Sequence, residues 1–218
     1  MNIKANISNI LYDLDEKVQL IAVSKTKPID YILEAYQVGQ RIFGENKVQE
    51  LVEKSAALPD DIQWHMIGHL QSNKVKYIAP FISLIHAVDS KKLLIEIDKR
   101  ARQHDRVIHC LLQIHIAQES TKFGLNEDEA LELLEMNLAN VSIDGMMGMA
   151  TFTNDKQQIR SEFKSLKNTF EKAKIKFHKL SILSMGMSGD YNIAIEEGSN
   201  MIRIGSSIFG DRQNDFDS

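Results

Sequence analysis

Residues 20–28 read Leu20-Ile21-Ala22-Val23-Ser24-Lys25-Thr26-Lys27-Pro28, an apolar run that gives way to two lysines and a proline. The run predicts a buried β-strand that ends at Lys25, with Pro28 in the first turn of the helix that follows. Because side chains alternate between the two faces of a strand, Ile21, Val23 and Lys25 are expected to share one face. A lysine then stands at the carboxyl end of a buried strand.

Two interpretations of Lys25 are open from this segment alone. Desolvation lowers the pKa of a lysine, so that more of the amine is uncharged and able to form a Schiff base with an aldehyde. A lysine at a strand exit can equally place its ammonium group in water, which is the usual arrangement. Residues elsewhere in the sequence are needed to choose between these two interpretations of Lys25.

Strands and helices alternate along the chain from this segment onwards. A leading amphipathic helix is predicted over residues 3–16, and seven of the eight predicted strands are each followed by a clear helix. The predicted strands cover residues 20–25, 41–44, 62–67, 81–88, 107–116, 141–147, 180–183 and 200–204. The pattern predicts a single α/β domain over residues 1–218, a (β/α)₈ barrel with an extra N-terminal helix and a frayed polar tail over residues 211–218.

An open doubly wound sheet is the competing architecture. That fold is typically marked by a glycine-rich phosphate turn after its first strand, and residues 24–28 contain no glycine. The barrel is therefore favoured.

Composition narrows the class of protein. The 26 basic and 30 acidic residues give a net charge of −4, and no basic block is long enough to suggest nucleic-acid binding. The single cysteine, Cys110, suits a reducing compartment and lies in an apolar run, where burial is expected. No segment approaches the roughly 20 apolar residues of a membrane span. We expect a cytoplasmic monomer without nucleic-acid or membrane partners.

Glycine and serine are concentrated after the last two predicted strands, in residues 184–190 and 203–210. Barrels commonly hold a phosphate at these loops, through backbone N–H groups and small hydroxyl side chains. These glycines could instead only cap turns. Two such loops beside a lysine on strand one suggest one ligand, a phosphorylated aldehyde.

Arg203 ends the last strand and could face a pyridine nitrogen, clamp a phosphate or carboxylate, or form a structural ion pair.

Several segments together resemble the pyridoxal 5′-phosphate (PLP) homeostasis protein family. They occur in the family's order and span residues 20–212. The segments are Ala22-Val23-Ser24-Lys25-Thr26-Lys27-Pro28, Phe43-Gly44-Glu45-Asn46 with Val48-Gln49-Glu50, Trp64-His65-Met66-Ile67-Gly68 with Leu70-Gln71-Ser72-Asn73-Lys74, Met187-Ser188-Gly189-Asp190, and Arg203-Ile204-Gly205 with Ile208-Phe209-Gly210. The resemblance implies a fold-type III PLP barrel, similar to the N-terminal domain of alanine racemase.

The resemblance also implies roles for individual residues. Lys25 would carry PLP as a Schiff base, Arg203 would face the pyridine nitrogen, and Asn46 would lie beside the ring. The phosphate would be held by Ser188, Gly205 and Ser206. The sequence departs from the family's pattern at Lys47, His69 and His115. We interpret His115 as a hydrogen-bonded substitute without a catalytic role, and His65 as a packed histidine rather than a proton shuttle.

Three functions are compatible with these residues. Racemases of this fold take a second catalytic base from a C-terminal domain, whereas this chain ends at Ser218. We therefore expect a non-catalytic PLP carrier that buffers or delivers the cofactor. Apo PLP-dependent enzymes are the candidate partners. The alternative is a single-domain amino-acid racemase. A third possibility is an interaction domain that has lost its ligand. No metal site is predicted, because the histidines lack further ligands at a suitable spacing.

Overall fold

The computed structural model describes residues 2–119 and 123–210, so the predicted tail at 211–218 lies outside the described residues. Eight strands form one closed barrel in which each strand pairs with the next in parallel and β8 pairs with β1. They are β1 (Gln19–Val23), β2 (Ile42–Glu45), β3 (Gln63–Met66), β4 (Leu84–Val88), β5 (Ile108–Gln113), β6 (Val141–Met147), β7 (Ile182–Met187) and β8 (Met201–Ile204). The predicted (β/α)₈ barrel is confirmed.

Helices connect the strands and cover the outside of the barrel. They are α1 (Ile3–Asp13), α2 (Ile29–Gln37), α3 (Val48–Ala57), α4 (Val75–Ile78) after a 3₁₀ turn (Ser72–Lys74), α5 (Lys91–Arg102), α6 (Glu127–Leu134), α7 (Lys156–Lys176), α8 (Tyr191–Glu196) and α9 (Ser206–Phe209). The leading helix α1 is confirmed. The eighth strand was expected to lack a clear helix, but the one-turn helix α9 follows it, begun by Gly205. No helix in the described part of the chain has the length and apolar composition needed to cross a membrane.

Two strand boundaries differ from the prediction in ways that matter for the site. Strand β1 ends at Val23, so Lys25 lies in the turn beyond it rather than on the strand itself. Strand β7 continues through Ser184 to Met187, with an irregular register against β8 between these two residues. Residues that we had assigned to the seventh loop therefore belong partly to the barrel wall.

Two apolar layers hold the barrel together. A large cluster between strands and helices includes the predicted inward residues Leu94, Phe163 and Phe170, all buried. A smaller cluster inside the barrel includes Ile21 and Leu111. Cys110 is buried, as expected, and burial raises the pKa of its thiol.

Candidate functional site

A cavity of about 500 Å³ opens at the carboxyl ends of the strands. This is the end of a barrel at which active sites form, and the volume lies in the range of small-molecule sites. All six residues that sequence analysis assigned to the site line it: Lys25, Asn46, Ser188, Arg203, Gly205 and Ser206. The structure thus brings together Arg203 of β8 and residues from the loops after β1, β2, β7 and β8.

Lys25 is half-buried in the turn between β1 and α2. Its neighbour Ser24 is fully buried, and its other neighbour, Thr26, has a φ of 63°. Since a β-branched residue rarely adopts this left-handed conformation, the turn is strained at the residue beside the candidate Schiff-base lysine.

The two loops rich in glycine and serine meet at one side of the cavity. The backbone N–H of Gly205 donates a hydrogen bond to the hydroxyl oxygen of Ser188 at 3.2 Å, which joins the loop after β7 to the loop after β8. Ser206 follows at the start of α9. Small side chains, hydroxyl groups and backbone amides at one place are the features that a phosphate group requires.

Arg203 lies in β8 with 4% of its surface exposed, opposite Ile21 of β1 in the sheet register. Its guanidinium donates to the hydroxyl oxygen of Ser184 at 2.7 Å and to the carbonyl oxygen of Gly148 at 3.1 Å. Both acceptors are neutral, and no carboxylate among the described residues forms a salt bridge with it. Burial lowers the pKa of Arg203 to about 10, against the opposing effect of the Asp190 carboxylate, so it stays cationic at neutral pH. A buried cation in the cavity wall favours an electron-rich ligand.

A chain of hydrogen bonds continues from Arg203 across the inside of the barrel. His86 of β4 contacts Ser184 of β7 through Nδ1 at 3.1 Å, and its Nε2 lies 3.0 Å from Nδ1 of His65 in β3. Neither Ser184 nor His86 was predicted to take part in these hydrogen bonds. The available signal was a histidine in the middle of the apolar strand Leu84–Val88, where a polar side chain needs a buried partner.

Both histidines of this chain are buried and neutral. Burial lowers the pKa of His65 to about 3. Burial, together with the neighbouring His65 and Arg203, holds the pKa of His86 well below its ordinary value. The expectation that His65 is a packed, hydrogen-bonded histidine agrees with its position, and His65 does not reach the cavity surface.

The entrance of the cavity is flanked by an aromatic stack that the sequence did not suggest. The ring of His69 stacks on Phe123 with centroids 4.1 Å apart, and Nδ1 of His69 lies 2.9 Å from a carboxylate oxygen of Asp89. The side-chain amide of Gln113 donates to the carbonyl oxygen of Phe123 at 2.8 Å. These contacts place one wall of the entrance on β5 and the loops after β3 and β4.

Two further predicted residues have clear positions. Asn46 is held against the loop after β3, where a Cβ added at Gly68 would come within 2.5 Å of the carbonyl oxygen of Asn46, so only glycine fits there. His115 does not line the cavity. Its Nε2 lies 3.1 Å from the carbonyl oxygen of Glu119 in its own loop, which agrees with a local hydrogen-bonding role.

Comparison with known proteins decides the family. The family described as "Alanine racemase, N-terminal domain" matches residues 1–213. The pyridoxal phosphate homeostasis protein of Vibrio alginolyticus is 40% identical over 224 residues, covering 97% of this chain and 96% of the relative. That of Aquifex aeolicus is 39% identical, covering 89% of this chain and 87% of the relative. The chain belongs to the pyridoxal phosphate homeostasis protein family.

Solved structures agree with this membership of the pyridoxal phosphate homeostasis protein family. PipY of Synechococcus elongatus, solved without PLP, has a TM-score of 0.91 and 35% identity, covering 95% of this chain and 100% of PipY. PipY solved with PLP bound has a TM-score of 0.87 and 34% identity, with the same coverage. Alanine racemase of Clostridium difficile shares the fold, with a TM-score of 0.78 at 17% identity, and this chain spans 57% of its length.

Proposed function

We propose that this protein binds PLP in the cavity and serves intracellular vitamin B6 homeostasis. The observation that carries the proposal is the meeting of a lysine, a buried arginine and a hydroxyl-rich loop pair around one cavity of about 500 Å³. The membership of the family and the PLP-bound relative PipY support the same ligand.

Each group of the cavity suits one part of this ligand. Lys25 would supply an amine for a Schiff base with the aldehyde, and Ser188, Gly205 and Ser206 would hold the phosphate. Arg203 would face the ring nitrogen and keep it unprotonated, because a permanent cation disfavours a second positive charge beside it. Asn46 would lie beside the ring. When bound, PLP supplies a reactive aldehyde and an electron-accepting ring.

We propose that the protein holds PLP reversibly and does not turn over a substrate efficiently. Removing and returning a proton on opposite faces of a carbon requires two positioned acid–base groups. The lining residues that the structure describes include no aspartate, glutamate, tyrosine or cysteine. An unprotonated ring nitrogen also makes PLP a weaker electron acceptor. We propose cytoplasmic apo PLP-dependent enzymes as recipients and a monomer as the functional unit.

The visible absorbance of the protein with PLP tests the binding proposal. Wild-type protein is expected to develop the absorbance band of a PLP imine, and borohydride reduction is expected to fix the cofactor covalently to Lys25. Lys25→Ala is expected to abolish both signals, whereas Lys92→Ala, at an exposed position on α5, is expected to leave them intact. Covalent labelling elsewhere, or an unchanged band in Lys25→Ala, would contradict the proposed site.

A single-domain amino-acid racemase is the second candidate function. It is favoured by the presence of Lys27 and His69 on the cavity wall, since either could act as a second base. A racemase would carry deuterium from heavy water into the α-position of an amino acid. No incorporation at high protein concentration excludes it, while turnover of about 1 per second or more that depends on Lys25 would exclude the carrier.

A further inference from the structure

The turn that carries Lys25 is held from behind by residues that do not reach the cavity. Thr26 follows Lys25 with a φ of 63°, a backbone conformation that costs energy for a β-branched residue. Such a conformation persists only where surrounding contacts impose it. The contacts that do so are supplied by strand β2 and helix α3.

Two glutamates bind the residues on either side of Lys25. The side chain of Ser24 donates a hydrogen bond to Oε1 of Glu45 at 2.6 Å. The backbone N–H of Thr26 donates to Oε1 of Glu50 at 2.5 Å. Lys25 is thus the central residue of a three-residue turn that is fixed at both ends by carboxylates.

Lys54 connects the two glutamates to each other and to the turn. Its ammonium group lies 2.8 Å from Oε1 of Glu45, 2.6 Å from Oε1 of Glu50 and 2.8 Å from the carbonyl oxygen of Ser24. All three donors of the ammonium are therefore used. Only 7% of the Lys54 side chain is exposed, so the bonds are shielded from solvent.

The arrangement of Glu45, Glu50 and Lys54 is not the one that would make the folded protein most stable. Oε2 of Glu45 is buried and has no hydrogen-bond partner among the described residues, an arrangement that lowers stability. Glu45, Glu50 and Lys54 are not among the residues that line the cavity. Their hydrogen bonds connect them to the cavity through the turn that carries Lys25.

We propose that Lys54, Glu45 and Glu50 form a positioning cluster that imposes the strained turn and so presents the Lys25 amine to the ligand aldehyde. The inference rests on the proposed PLP function. In the covalent step the uncharged amine adds to the carbonyl carbon and one water leaves, so one amine and one aldehyde are consumed. Holding the amine in place favours this step because less motion has to be restricted.

A comparison of two ligands shows whether the cluster positions Lys25 or only supports the cavity as a whole. PLP has the aldehyde, whereas pyridoxine 5′-phosphate has the same ring and phosphate but an alcohol that cannot form an imine. Glu50→Ala is expected to weaken PLP binding about tenfold, as expected for loss of one hydrogen bond to a charged acceptor. Binding of pyridoxine 5′-phosphate is expected to change less than about twofold.

A second substitution tests whether the strained backbone at Thr26 explains the loss of PLP affinity in Glu50→Ala. Glycine adopts positive φ without a steric penalty, so adding Thr26→Gly to Glu50→Ala is expected to restore most of the lost PLP affinity. The conservative variant Glu50→Gln keeps an oxygen that can accept from Thr26, and it is expected to lose less affinity than Glu50→Ala. Glu53→Ala, one turn along the exposed side of α3, is the matched control and should bind both ligands as the wild type does.

Thermal unfolding of each variant without ligand checks that it is folded before binding is measured. An equal loss of affinity for both ligands, or no rescue by Thr26→Gly, would overturn the positioning role. Unchanged PLP affinity in Glu50→Ala together with Lys54→Met would overturn it as well. Wild-type protein that binds pyridoxine 5′-phosphate and PLP equally, without an imine, would instead contradict the proposed function on which the inference rests.

Discussion

His86 and Ser184 lie on β4 and β7, which are not neighbours in the barrel, yet Nδ1 of His86 is 3.1 Å from the hydroxyl oxygen of Ser184. The contact therefore crosses the inside of the barrel rather than following the sheet. Through Ser184 it reaches Arg203, and through its other nitrogen it reaches His65. The floor beneath the cavity is therefore a hydrogen-bonded series that contains two buried, neutral histidines.

Because His65 and His86 are buried and neutral, we expect the protein to lose stability in acid. The folded-state pKa of His65 is lowered to about 3, so between pH 6.5 and pH 3 the unfolded chain binds a proton that the folded protein does not. The free energy of unfolding is expected to fall with decreasing pH by at most about 1.4 kcal/mol per pH unit for each histidine. Chemical denaturation at pH 7, 6 and 5 measures this slope.

Substitution isolates the contribution of one histidine. His65→Gln removes one titrating group, so its stability is expected to depend less steeply on pH than that of the wild type. His104→Gln, at an exposed position, is the control. Burial raises the pKa of Glu45, which opposes the histidines by adding stability at low pH, so the difference between variants is the decisive quantity. Equal slopes in wild type and His65→Gln would contradict the prediction.

Arg203→Gln is expected to weaken PLP binding by about 10- to 100-fold, the range for loss of a hydrogen bond that involves a charged group. The reason is that Arg203 is the residue that we propose to face the ring nitrogen. Equilibrium titration followed by absorbance measures the affinity. Arg160→Gln removes a guanidinium that pairs with Glu196 and Glu197 on the surface and should have no effect. A similar affinity in both variants would argue against Arg203 as a ring contact.

Ser188→Ala tests the phosphate position. The substitution removes a hydroxyl from the point where the loops after β7 and β8 are joined, and PLP affinity is expected to fall about tenfold. Pyridoxal, which lacks the phosphate, should bind the variant and the wild type alike. Equal weakening for PLP and pyridoxal in competition titrations would assign Ser188 to the structure of the loop instead.

Gly145→Ala is expected to destabilise the fold by about 3 kcal/mol or more, the upper range for overpacking. A Cβ at Gly145 would lie 1.8 Å from the carbonyl oxygen of Ile182, its partner across β6 and β7, so the two strands would have to separate. Gly189→Ala is the control, because nothing lies within 4 Å of a Cβ there. Thermal unfolding compares the two, and equal midpoints would show that the barrel can relax at Gly145.

The barrel was predictable because its signal is local and repeated. Alternating apolar runs and helical periodicities define the strands and helices, and parallel pairing through helical connections follows from their order. The helix Lys91–Arg102 and the strand Val141–Met147 have the predicted boundaries. The ends of β1 and β7 were misplaced, because apolar periodicity does not reveal where a turn such as Ser24–Thr26 leaves the sheet.

The sequence by itself determined the closed α/β barrel, and its resemblance to a known family implied the six cavity residues. They lie together because parallel strands bring their carboxyl ends to one side of the molecule. Only the tertiary structure showed the His65, His86 and Ser184 chain beneath Arg203 and the Lys54 cluster behind Lys25. Those contacts join residues far apart in the chain, 98 positions in the case of His86 and Ser184. Their partners are set by how the barrel closes and not by any local pattern of residues.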